Sequence, residues 1–236
     1  MIALYRILLR TSVTRGRLLA FIAAGALMDL IAYAIGVTDT SGHQASDVFQ
    51  LLDTASLGLY VPVVALVFST SSLGDLASDG TLVYIWLRPV ARWKVVLVAL
   101  TATLTVTLPL TLIPSWLALW LAGSDWQAVW AVTVAIALAN GAYVAVFTGF
   151  GMRVRHALIA GLAYVVIWEA GIATIGKGPA AISIRHYAES VFSHLGHQTI
   201  PQLDAVDQGP AIIVLVAIMA VGAALTTILL ARQDVA

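Results

Sequence analysis

The chain has 236 residues, 61% of them hydrophobic and 10% charged, with a formal net charge of zero. Soluble domains carry about 25% charged residues, so a water-solvated globule of this composition is excluded and the surrounding medium must be lipid. No basic cluster points to nucleic acid. The absence of cysteine excludes a disulfide framework and a thiolate metal site.

A membrane-crossing helix needs about 20 mainly apolar residues. On that criterion the sequence predicts an all-α integral membrane protein with six spans in one transmembrane domain, 1–236. The spans fall at about 18–37, 51–72, 93–121, 126–150, 157–175 and 210–231. Residues 1–17 come first. Ile2, Tyr5, Leu8 and Leu9 share one helical face and Arg6 and Arg10 another, the pattern of an interfacial helix. Because the first apolar run continues to Val37 behind a long polar lead, it is expected to stay as a span and not to be cleaved as a signal peptide.

The first span carries Asp29 near mid-depth, and the second contains Pro62, which must kink or locally open it. The third holds Pro109 and Pro114 and is expected to tilt or bend. Trp116, Trp120, Trp126 and Trp130 surround the Gly123-Ser124-Asp125 turn and mark a bilayer face. Gly141, Ala145 and Gly149 form a small-residue stripe on the fourth span, where another helix can come close, within the chain or from a second copy. Glu169 lies toward the outer end of the fifth. In the 176–209 segment, Ile184, Tyr187, Ala188, Val191, Phe192 and Leu195 recur at helical spacing and predict an amphipathic helix on, or dipping into, the outer leaflet.

Loop charges orient this body. Ten of the 12 basic residues (Arg6, Arg10, Arg15, Arg17, Arg88, Arg92, Lys94, Arg153, Arg155 and Arg232) fall on the side of the termini. Only Lys177 and Arg185 fall opposite. The positive-inside rule places both termini in the cytoplasm of a cell (plasma) membrane protein.

The 73–92 segment, between spans two and three, therefore faces the cytoplasm. Asp79 or Thr81 can cap a helix start there. Residues 81–87, TLVYIWL, are too few to cross a bilayer, and Arg88-Pro89 stops the helix. The product is an apolar prong that fits either a lipid surface or a protein pocket.

This stretch resembles the coupling region of permease subunits of the type-2 ABC transporter family. Asp79, Gly80, Thr81 and Leu82, then Arg88, Pro89, Val90, Ala91 and Arg92, match that family's acidic–Gly-Thr, short helix and Pro–x–Ser/Ala–Arg pattern. Leu97-Val98-Ala99 stands where many members carry Gly-Lys. The resemblance implies a cytoplasmic coupling helix, short outer helices between spans five and six, and a permease subunit of an ATP-driven exporter that moves substrate outward from the cytosol or inner leaflet. It implies two partners, a separate cytoplasmic ATP-binding subunit and a second permease, identical or homologous. ATP and Mg would be held by the ATP-binding subunit, with no cofactor in this chain. Consistent with that, the sequence has no G-x-x-x-x-G-K-[ST] loop, and Gly176-Lys177-Gly178 lacks both the leading glycine and the Ser/Thr. The residues implied in docking are Asp79, Gly80, Thr81, Leu82, Tyr84, Ile85, Trp86, Arg88, Pro89 and Arg92. The competing reading is a non-transporting scaffold or accessory subunit that uses the same helix.

Asp29 and Glu169 are the two carboxyls expected inside spans, and no basic residue is expected at matching depth. They are candidates for a translocation path, for a proton- or ion-linked channel, or for hydrogen bonds between helices. His186, His194 and His197 with Glu189, Asp204 and Asp207 gather outside, but their spacing does not force convergence, and no metal site is expected. No nucleophile grouping or H-E-x-x-H motif is present, so the chain is not expected to be an enzyme.

Overall fold

The computed structural model describes residues 2–38, 44–78, 91–174, 177–197, 200 and 204–232. Those residues are all helix and connection, with no strand among them. Five helices are long and apolar enough to cross a membrane: Arg15–Val37, Ser46–Ser72, Arg92–Leu121, Trp126–Arg153 and Gln208–Arg232. This is the build of a multi-pass membrane protein.

Helix α1 (Ile2–Ser12) is tied down more firmly than an interfacial helix need be. Leu8 is fully buried and the Tyr5 hydroxyl donates to Thr105 Oγ1 at 2.9 Å. Helix α2 (Arg15–Thr38) is the first span, with most of its side chains outward. The second span has three parts: α3 (Gln44–Leu51), a π-helical stretch Leu52–Tyr60 and α4 (Val61–Ser78). The opening expected at Pro62 is present and lies just before it. The Val61 N–H reaches back five residues to the Ser56 carbonyl. Pro62, which has no N–H to donate, follows directly as the second residue of α4.

Helix α5 (Arg92–Leu121) runs unbroken through Pro109 and Pro114. Proline 114 deprives the Leu110 carbonyl of its usual partner. The Tyr60 hydroxyl, 3.0 Å from that carbonyl and 2.9 Å from the Phe21 carbonyl, supplies a donor. A Cβ at Gly25 would fall 2.7 Å from Pro114 Cγ, so the bare glycine is what admits the proline ring against α2. The turn to α6 (Trp126–Arg153) uses Gly123 at φ +63° and Asp125, whose side chain accepts from the Ala128 N–H at 3.1 Å. Trp120, Trp126 and Trp130 stand exposed around this turn, and Trp116 donates to Thr133 at 2.8 Å.

Helix α10 (Gln208–Arg232) lies along α6. A Cβ at Gly141 would strike Met219, one at Gly149 would strike Thr226, and one at Gly222 would strike Ala145. The small-residue stripe is thus filled from within the chain. The contacts advance together in both helices, so α6 and α10 run parallel. The Arg-rich ends also meet, since Arg92 Nη1 donates to the Ala231 carbonyl at 2.6 Å.

Parallel α6 and α10 require one more crossing between them. The sequence predicts a single span at 157–175, and here the structure differs. Helix α7 (Ala157–Ala163) passes into a π-helical stretch, Tyr164–Glu169, and stops. Thirteen residues reach at most about 20 Å, short of a hydrocarbon core of about 30 Å. A 3-10 turn (Ile172–Thr174) and a four-residue helix α8 (Lys177–Ala180) follow. Helix α9 (Ile184–Gly196) completes the distance. The Tyr164 ring lies 6.1 Å from Phe147, toward the Arg-rich end of α6, whereas Gly196 touches Phe49 and Ala131 near the other end. The fifth crossing is therefore made of two half-helices that meet at Glu169. The amphipathic pattern in 184–195 is confirmed, with Ile184, Ala188, Val191 and Phe192 buried. Phe192 stacks on Phe49 at 3.8 Å between ring centroids.

Candidate functional site

The break in the fifth crossing collects the protein's buried charge. Glu169 ends the first half-helix and is 0% exposed. The four N-terminal N–H groups of a helix have no intrahelical acceptor, and a carboxylate there also meets the positive end of the helix dipole. Glu169 occupies that position at the start of α9. Its Oε1 accepts from the Ile184 N–H at 3.2 Å and from the Tyr164 hydroxyl at 2.8 Å. Its Oε2 accepts from the Arg185 N–H at 3.3 Å and from the Ser183 hydroxyl. Ser183 also caps α9, its Oγ accepting from the His186 N–H at 3.1 Å.

One turn on, Arg185 Nε donates to Glu189 Oε1 in an i, i+4 ion pair whose side chains are 14% and 10% exposed. The Arg185 guanidinium lies against Gly58, where a Cβ would fall 3.0 Å from its Cζ. The π-helical stretch of the second span supplies that gap and also carries Asp53, 4% exposed, within electrostatic range of Arg185 and Glu189. Asp53 Oδ1 has no hydrogen-bond partner among the described residues. Tyr143, fully buried on α6, faces the same group, and its hydroxyl is likewise unpartnered there. Two carboxyls (Asp53 and Glu189) thus face one guanidinium, and Glu169 holds the backbone N–H of the same arginine.

A column of hydroxyls continues from this cluster into the bundle. Ser56 Oγ and Ser115 Oγ are 3.0 Å apart, and Ser115 donates to the Thr111 carbonyl at 2.9 Å. Asn140 Nδ2 donates to Thr111 Oγ1 at 3.2 Å. Thr103, Thr107, Thr111 and Ser115, four residues apart, form one buried face of α5.

The sequence-predicted residues are scattered. Asp79, Gly80, Thr81, Leu82, Tyr84, Ile85, Trp86, Arg88 and Pro89 lie outside the described residues. Arg92 is placed at the end of α10 by its bond to Ala231. Asp29 is half-buried on α2, its Oδ1 without a hydrogen-bond partner among the described residues. None of the donors to Glu169 comes from α2, so the two candidate path residues belong to separate environments. Arg185 reaches Glu169 through its backbone N–H, while its guanidinium pairs with Glu189 and not with Glu169. Among the described residues no cluster of histidines and carboxylates is arranged to hold a metal. His194 Nδ1 sits 2.9 Å from the Ser190 carbonyl of its own helix.

Sequence reasoning did not single out Asp53, Arg185, Ser183 or Tyr164. The i, i+4 spacing of Arg185 and Glu189 was a usable signal, as was the Thr103-Thr107-Thr111-Ser115 repeat. Asp53 gave less, because its burial depends on a helix far along the chain. No family model, no curated protein and no solved structure matches this chain.

Proposed function

We propose that the chain is the membrane-spanning permease subunit of an ATP-driven exporter resembling the type-2 ABC family. In this reading it has no ATPase of its own and acts with a separate cytoplasmic ATP-binding subunit and a second permease. The observation that carries it is the segment Asp79-Gly80-Thr81-Leu82 through Arg88-Pro89-Val90-Ala91-Arg92, positioned between the second and third spans on the arginine-rich side. The multi-pass helical body supports it, as does the gathering of Arg92, Arg153 and Arg232 at one end of the described bundle. Force from the partner would enter through the 73–92 segment and pass into α4 and α5, whose ends at Ser78 and Arg92 fall within it. Asp29, half-buried with an unpartnered carboxyl oxygen, is the better path candidate, because the oxygens of Glu169 are occupied in holding α9.

The test is co-expression with a phosphate-loop ATPase encoded beside this protein, followed by copurification and assay of transport-coupled hydrolysis. Thr81→Asp, Leu82→Asp, Tyr84→Asp and Trp86→Asp should each abolish copurification or uncouple hydrolysis from transport, since a charge on an apolar docking face is buried without a partner. Normal coupled transport in all four variants would refute the docking role. Copurification without any ATP-dependent flux would favour the scaffold reading.

A further inference from the structure

Helices α6 and α10 touch along their small residues, and beside that seam lies a groove of about 500 Å³. Its walls are apolar, formed by Val146 and Phe150 on α6 and by Ala217, Ile218, Val221 and Leu225 on α10. At the arginine-rich end it reaches Arg153, where a second hollow of about 290 Å³ is bounded by Met152, Arg153, Leu229 and Arg232. Both arginines are exposed, and among the described residues neither has an ion-pair partner.

We infer that this groove binds one acyl chain of an anionic phospholipid, with the headgroup phosphate held by Arg153 and Arg232. The dimensions agree. The α10 wall from Val214 to Leu229 is about 22 Å long at 1.5 Å per residue. A chain descending from its headgroup to the bilayer centre needs about 15 Å. The charge also agrees, because a guanidinium fork matches phosphate oxygens, and basic pockets between membrane helices select anionic headgroups. A second copy of the chain is the poorer occupant. Twofold symmetry about the membrane normal would bring both copies' Arg153 and Arg232 together at the same end. The small-residue stripe that such a seam would use is already filled by α10. The inference does not depend on the transport reading.

The experiment is native mass spectrometry of the full chain released from nanodiscs of mixed phosphatidylglycerol and phosphatidylcholine. The unmodified chain should retain one phosphatidylglycerol in about thirtyfold preference to phosphatidylcholine, as expected for two arginines at a membrane surface. Arg153→Gln with Arg232→Gln should abolish the preference while still retaining a lipid. Ala217→Trp, which fills the groove from its exposed side, should remove the retained lipid of either headgroup. Equal retention of the two lipids by the unmodified chain would overturn the proposal. So would displacement of the lipid by inorganic phosphate, since the acyl chain would then contribute nothing. A disulfide between two copies through Val221→Cys at full yield would assign the groove to a second chain instead.

Discussion

The third span contains two prolines and is one continuous helix; the fifth crossing contains none between Ala157 and Ile175 and is broken. Reading helix breaks from proline alone would reverse the two. Proline 114 costs one hydrogen bond and needs room for its ring. The Tyr60 hydroxyl restores a donor to the Leu110 carbonyl, and Gly25 provides the space. A buried carboxylate asks for more, because several donors must converge on it in a medium without water. An intact helix has no free N–H groups to offer. Ending the helix at Glu169 and starting α9 beside it exposes the N–H groups of Ile184 and Arg185 for that purpose. In this bundle the need to solvate a charge breaks a helix where proline does not.

The largest effect should follow from removing that charge. Glu169→Leu leaves the Tyr164 and Ser183 hydroxyls and two α9 N–H groups without their acceptor. A loss of about 3–5 kcal/mol is expected, the scale for breaking a buried charge network. Thermal unfolding in detergent micelles would measure it. Glu169→Gln keeps one acceptor and the shape, and should recover part of the loss. If Glu169→Leu unfolds at the temperature of the unmodified chain, the carboxylate does not hold the two half-helices together.

Much of the architecture was legible in the sequence because lipid imposes a simple rule. Long apolar runs became helices, and the Trp-rich turn, the hairpin of α5 and α6 and the opening near Pro62 all fell where residue chemistry put them. The fifth crossing was not legible. Its apolar run, 157–175, has the length and composition of a span, and only the contact of Glu169 with Ser183 shows where it stops. Arg185 was sorted to the outside because an arginine ten residues beyond an apolar run reads as loop. Its burial depends on Gly58 and Glu189, one of them on a helix more than 120 residues earlier in the chain, and no local pattern links them.

A smaller effect tests the proline side of the comparison. Tyr60→Phe removes the donor at the Leu110 carbonyl and should destabilise the bundle by about 1–2 kcal/mol, the cost of one buried acceptor left unmatched. The α5 helix should also bend at Pro114, and spin labels at Thr101 and Leu117, on either side of it, would report a changed separation. An unchanged separation with unchanged stability would show that the proline tolerates its orphaned carbonyl unaided.

The smallest effect separates hydroxyls that are used from those that are merely enclosed. Thr111 Oγ1 accepts from Asn140, whereas Thr107 Oγ1, one turn away on the same buried face, has no partner among the described residues. Thr107→Val exchanges that hydroxyl for a methyl of similar size, so the change should be neutral or stabilising, by at most about 1 kcal/mol. Thr111→Val, identical in shape, should destabilise, because the Asn140 amide is left without its acceptor. Equal unfolding temperatures for the two variants would mean that the column is not held by the Asn140 bond. A marked loss from Thr107→Val alone would mean that its hydroxyl has a polar neighbour in the folded protein, and a bound water in the interior would then be the group to look for.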